Sequence, residues 1–246
     1  MIDLTTIRRH NIDDNLMNRQ LRTLYNDMFP SLSGIISQYN RANESRISNP
    51  YLLSASKEYY VAERRVMIFG QETYTWGGEF GNEGVFNPDA SVTELMNLYD
   101  LFAYTASDTY NSPFWNYCKS LKSAADGRRI AFIYNNLMKL GLVGQAGYNP
   151  DISPKFNPLL AEIEILKPDL LIFLSGPKYD FRIRTQLDNF LEEQVLPQYK
   201  TQEFAKLRFS DTIFPDAYRT YHPGYLCRWP DYYAAVHNAI IHYINL

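Results

Sequence analysis

Arg65 to Tyr74 reads RVMIFGQETY. Its first half is a short apolar run with β-branched Val66 and Ile68 inside it, and it stops at Gly70. That is the pattern of a buried strand running into a turn. Two more runs of this kind follow, Arg129 to Tyr134 (RIAFIY) and Asp169 to Leu174 (DLLIFL), the latter ending at Ser175–Gly176–Pro177. Lys206 to Ser210 and Ala217 to Tyr221 read as two weaker strands. Helical segments lie between them: one beginning at Ser91 with Glu94 as a capping-box partner, and one opened by Ser112–Pro113 and running through Phe114, Trp115 and Leu121. Others are predicted over Pro158 to Leu166, about Tyr179 to Gln194, and Asp231 to Ile244. Strands alternating with helices predict an α/β protein with a mainly parallel sheet covered on both faces. In such sheets ligands bind beyond the carboxyl ends of the strands. Attention therefore goes to Gly70–Tyr74, Asn135–Asn136, Ser175–Pro177 and His222–Leu226.

Upstream of this pattern, residues 13–42 carry an apolar stripe at helical spacing (Leu16, Leu21, Leu24, Tyr25, Met28), and Pro30–Ser31 is expected to break it into two helices. The polar stretch Asn40 to Asn49, closed by Pro50, marks a boundary. The expected organisation is an N-terminal helical extension over 1–60 and an α/β domain over 61–246. With 246 residues, 46% of them hydrophobic and 21% charged, the chain can build a core without disulfides or metal, and disorder is excluded. A net charge of −3 supplies no global field to attract polyanions, although a local groove can still be positive. Twenty tyrosines suit either stacking surfaces or core edges.

Familiar chemical motifs are missing. The glycines at 77, 78, 81 and 84 do not have phosphate-loop or dinucleotide spacing, and no GxSxG elbow surrounds Ser175. His237 and His242 stand five apart on one helix, which does not bring them to one metal. Cys118 and Cys227 cannot form a thiolate cluster, and Cys118 beside Trp115 reads as a small core residue. No cofactor and no metal are expected. The polar amino terminus lacks a signal-peptide core and no apolar run reaches membrane-spanning length, so a soluble, cytoplasmic chain without a membrane partner is expected. The sequence does not indicate an oligomeric state.

Four strand-end segments, in this order along the chain, resemble the uracil-DNA glycosylase superfamily. Gly70–Gln71–Glu72–Thr73–Tyr74 is similar to the family's glycine–glutamine–aspartate–proline–tyrosine motif. Phe132 to Lys139 (FIYNNLMK) resembles the strand whose terminal asparagine reads the base. Lys167 to Gly176 (KPDLLIFLSG) is similar to the third strand and its glycine turn. Tyr221 to Leu226 (YHPGYL) resembles the His-Pro motif that precedes a DNA-probing loop. The resemblance covers about Val61 to Leu246. It implies a three-layer α/β/α sandwich around a four-stranded sheet, with DNA, single- or double-stranded, as partner.

The resemblance also implies roles. Breaking an N-glycosidic bond places positive charge on the sugar and negative charge on the departing base. Glu72 would sit beneath the sugar and orient water, and His222 would stabilise the anionic base. Asn136 or Asn135 would read the base edge, Phe86 would stack on it, and Gln71 and Tyr74 would complete the base site. Gly176 and Gly224 would let backbone approach phosphate, while Lys178, Arg219, Tyr225 and Arg228 would line the DNA, with Arg182 and Arg184 nearby. Leu226 falls where the family inserts an apolar wedge. Two residues depart from the pattern: Glu72 stands where aspartate is usual, and Thr73 where proline is. Displacing a catalytic carboxylate by a bond length can cost about 10²-fold in rate. A glycosylase acting on uracil or a related base is therefore weighed against a catalytically silent relative that binds a nucleotide or nucleic acid and against a hydrolase of small N-glycosides.

Overall fold

Val66 to Phe69 are fully buried, and they form the centre of β1 (Arg64–Glu72). The computed structural model describes residues 4–80, 92–125, 129–144, 156–210 and 214–246. Alongside β1 the sheet contains β2 (Ile130–Met138), β3 (Leu170–Phe173), β4 (Phe190–Gln194), β5 (Phe204–Phe209) and β6 (Asp216–Thr220), in the order β2-β1-β3-β6-β5-β4. β1 and β3 run parallel with Val66 opposite Leu170, and β3 and β6 run parallel with Phe173 opposite Arg219. β5 is antiparallel to β6, and β4 to β5. The sheet is thus mixed and has six strands, where four were expected.

The added edge strand comes from a segment expected to be helical. The helix after β3 covers only Asp180–Gln186, and the chain turns at Asp188–Asn189, where the Asp188 carboxylate accepts the Asn189 amide at 2.7 Å. Phe190 to Gln194 (FLEEQ) then pairs with β5. The helix-favouring Leu and Glu residues are overridden by cross-strand partners: Phe190 meets Phe209 edge-on at 5.7 Å, and Arg208 grips Glu193 through two bonds.

Nine α-helices lie among the described residues: α1 (Leu4–Arg9), α2 (Leu16–Ala42), α3 (Lys57–Tyr60), α4 (Val92–Tyr104), α5 (Pro113–Ala124), α6 (Leu159–Leu166), α7 (Asp180–Gln186), α8 (Pro223–Leu226) and α9 (Pro230–Asn245). The expected break at Pro30 does not occur, and α2 runs through it. Proline removes one backbone bond. The buried stripe Met17, Leu21, Tyr25, Leu32 and Ile36 keeps both halves on one apolar face, which offsets that loss. Asn15 caps the start by accepting the Asn18 amide at 2.9 Å. Ser112 caps α5 as the sequence predicts, and Cys118 is fully buried.

The chain gathers into two compact units, each discontinuous in sequence. The first comprises residues 1–60, 72–106 and 136–166, and the second 61–71, 107–135 and 167–246. In the first, α2 packs on α4 and α6, and Lys139 and Glu162 form an ion pair at 2.8 Å within its core. In the second, α5 packs against α8 and α9 beside the body of the sheet. Residues 1–60 thus cluster with later segments of the chain.

Candidate functional site

In the second unit the parallel strands deliver their carboxyl ends together. Gln71, near the end of β1, donates from its side-chain amide to the Ser175 carbonyl at 2.8 Å. β3 leads into Leu174, whose amide bonds the Phe69 carbonyl at 2.8 Å, and then into Gly176, whose amide bonds the Thr220 carbonyl at 2.9 Å. Gly176 holds φ +75°, and a Cβ there would stand 3.1 Å from the Tyr221 ring, so glycine serves both the conformation and the close approach. Ser175 is buried, and its hydroxyl has no hydrogen-bond partner among the described residues.

β6 leads into Tyr221–His222–Pro223, and His222 caps α8. Its Nδ1 accepts the Gly224 amide at 3.1 Å, which leaves Nε2 to carry the proton of the neutral ring. Burial pushes the imidazole pKa down, favouring that neutral form. The ring stacks on Phe114 with centroids 5.9 Å apart and planes at 16°. A Cβ on Gly224 would stand 3.2 Å from His222 Nδ1, so a larger residue there would crowd the cap. Phe114 and Trp115 come from the amino-terminal turn of α5, and Trp115 packs edge-on against Tyr134 of β2 at 4.9 Å. The Ser112–Pro113 start of that helix is legible in the sequence. That it meets the end of β6 is not.

Asn135 is 1% exposed, and its amide points to the Met67 sulfur at 3.7 Å, so it serves the sheet interior. β2 continues to Met138, which puts both asparagines inside the strand on opposite faces, and Asn136 is half-buried in the first unit.

The expected DNA-binding set divides. Lys178, Tyr225 and Arg228 are exposed, while Gly176 follows the turn after β3 and Gly224 lies in α8. Arg219 is wholly buried. It bonds both Asp180 oxygens at 3.1 Å, Glu192 at 3.2 Å, and the carbonyls of Thr201 and Gln202, leaving it no reach to a phosphate. Burial raises the Asp180 carboxyl to about 6, with Arg219 opposing and Glu192 assisting. Leu226 is 0% exposed and is a core residue, so it cannot act as an inserted wedge in this conformation. Arg184 donates to the Phe190 carbonyl and lies 3.7 Å from that ring's centroid, and Arg182 sits 5.0 Å from that of Phe181.

In the first unit, Glu72 ends β1 half-buried and Thr73 is buried. The Thr73 carbonyl presses on Gly141, where a Cβ would fall 1.8 Å from the oxygen. Thr75, Gly77 and Gly78 all take positive φ, and the Asn49 amide holds this turn through the Gly77 carbonyl at 2.8 Å. Tyr74 is 63% exposed, so among the described residues its ring faces mainly solvent. Phe86 lies outside the described residues.

No protein-family model matches the sequence, and a comparison with curated proteins finds no match. No helix among the described residues is long and apolar enough to cross a membrane. Among them no three His, Cys, Asp or Glu side chains gather in a way that could hold a metal ion.

Proposed function

We propose that this protein hydrolyses the N-glycosidic bond of uracil or a related base in DNA, with His222 stabilising the departing base. The observation that supports it is the state of His222: neutral by burial, its Nδ1 occupied by the Gly224 amide, its Nε2–H left as donor at the end of a parallel strand. Charge develops on the base as the glycosidic bond lengthens. A fixed neutral donor stabilises that charge without surrendering a proton or attracting a counterion beforehand. Phe114 stacked on the ring limits its rotation, so the donor direction is set before substrate arrives. Gln71, tied to Ser175, braces the neighbouring strand end. The role of Glu72 as the water-orienting carboxylate rests on the resemblance alone.

The test is base release from labelled single- and double-stranded oligonucleotides carrying uracil, hypoxanthine or thymine mismatches. Abasic product is expected, and His222→Ala should lower its rate about 10²- to 10³-fold, the cost of losing one donor to a developing anion. Equal rates in wild type and variant would remove His222 from the mechanism.

A second reading is favoured by the burial of Arg219 and Leu226, which takes a cation and the wedge away from any DNA groove. In it the same chemistry acts on a small N-glycoside. Turnover of free nucleosides with little salt dependence would support that reading, since phosphate contacts impose a steep one.

A further inference from the structure

With Leu226 turned into the core, the segment after His222 presents aromatic rings to solvent: Tyr225 is 43% exposed and Trp229 56%. They stand four residues apart across a continuous turn, in which the Arg228 amide bonds the Tyr225 carbonyl at 3.1 Å and the Trp229 amide bonds the Leu226 carbonyl at 3.0 Å. Two exposed aromatics on one turn with polar neighbours are the kind of patch that marks an interaction surface. Tyr225 is also braced: its ring lies 4.6 Å from that of Tyr221, which meets Tyr232 edge-on at 6.4 Å. The Tyr232 hydroxyl is anchored on the Glu203 carbonyl at 2.5 Å. The exposed ring is therefore the outer end of a fixed row, and stacking on it costs little side-chain entropy. Two exposed cations lie on the same and the adjoining segments. Arg228 is exposed in the same turn, and Lys178 is exposed two residues beyond Gly176, whose backbone packs on Tyr221.

Exposed ring faces interleaved with cations match one class of ligand, unpaired nucleobases on a phosphate chain. Duplex DNA hides its base faces, and the aliphatic side chain that could part a stack here is buried. We infer that the Tyr225–Trp229 turn is a stacking platform for single-stranded DNA, holding bases that flank the one presented to His222. This rests on the nucleic-acid reading of the site given above, and it sharpens that reading to single strands as the substrate class.

The experiment is fluorescence anisotropy with labelled oligothymidylate, single-stranded and annealed to its complement, run beside the base-release assay. The single strand is expected to bind more tightly than the duplex at equal salt. Tyr225→Ala and Trp229→Ala should each weaken single-strand binding on the order of ten-fold, the usual cost of one lost stack. Tyr225→Phe and Trp229→Phe should retain it, and Arg228→Met should reduce the slope of log K against log salt by about one. Thermal melting of each variant checks folding, and Trp229→Ala, at the more exposed ring, keeps the test decisive if Tyr225→Ala unfolds. Wild-type affinity in both alanine variants, or a duplex bound as tightly as the single strand, overturns the inference. Base release with unaltered binding in those variants would sink the platform and leave the glycosylase reading standing. Stacking-dependent binding with no base release on any substrate would do the reverse.

Discussion

Among the described residues each compact unit buries an ionic cluster, and the two are built differently. In the first, Lys139 and Glu162 are 1% and 0% exposed, one charge of each sign, 2.8 Å apart. Tyr25 donates to the second Glu162 oxygen at 2.6 Å and accepts the Leu53 amide at 3.1 Å, so the carboxylate is held from both sides. In the second, Arg219 faces two carboxylates, Asp180 and Glu192, and turns its remaining donors to carbonyls. Burial raises Asp180 to about 6; Arg219 opposes that rise and the second acid, Glu192, adds to it. A matched pair is a fixed structural element, whereas an unmatched one retains a group that titrates near neutrality.

The largest effect should come from unmatching the first cluster. Glu162→Gln removes the carboxylate that faces a buried ammonium and should cost about 3–5 kcal/mol in urea unfolding, whereas Lys139→Met with Glu162→Leu should recover more than half of that. A single variant costing under about 1 kcal/mol would show that the core tolerates the loose charge and that the contrast is wrong. Arg219→Lys should be next, at about 2–3 kcal/mol, since an ammonium cannot reproduce the paired bonds to Asp180 or reach both carbonyls. Near-wild-type unfolding of that variant would mean charge, not the planar fork, holds the cluster.

The smallest effect concerns pH. Asp180 titrates near 6 in the folded chain against 3.8 as the ordinary value, so the folded state binds more protons between those limits. Stability from this group therefore falls as pH rises from about 4 to about 6, and it is recovered on acidification. After allowance for solvent screening the change is of order 1 kcal/mol. Asp180→Asn should flatten that part of the stability–pH curve. An unchanged slope would place the titration elsewhere.

Legibility follows the same division between local and distant causes. The runs at Arg65, Arg129 and Asp169 announce strands because their burial on both faces demands unbroken apolar sequence. Ser112–Pro113 announces a helix because capping is a local act. Phe190 to Gln194 misleads, since its helix-forming residues become an edge strand only when Phe209 and Arg208 arrive from β5. Pro30 misleads in the opposite sense, the packed stripe of α2 outweighing one lost bond.

At the candidate site, the sequence alone determined that His222, Gly224 and Gly176 stand at turns after buried strands, because strand and turn chemistry are written in neighbouring residues. Tertiary structure alone decided which side chains are available there. Arg219 and Arg228 look alike in sequence, yet one is consumed by carboxylates brought from α7 and β4 and the other faces water. Leu226 and Tyr225 are adjacent, yet one turn of α8 sends the first into the core and the second out beside Tyr221. Exposure and pairing depend on groups distant in the chain, and no local pattern encodes them.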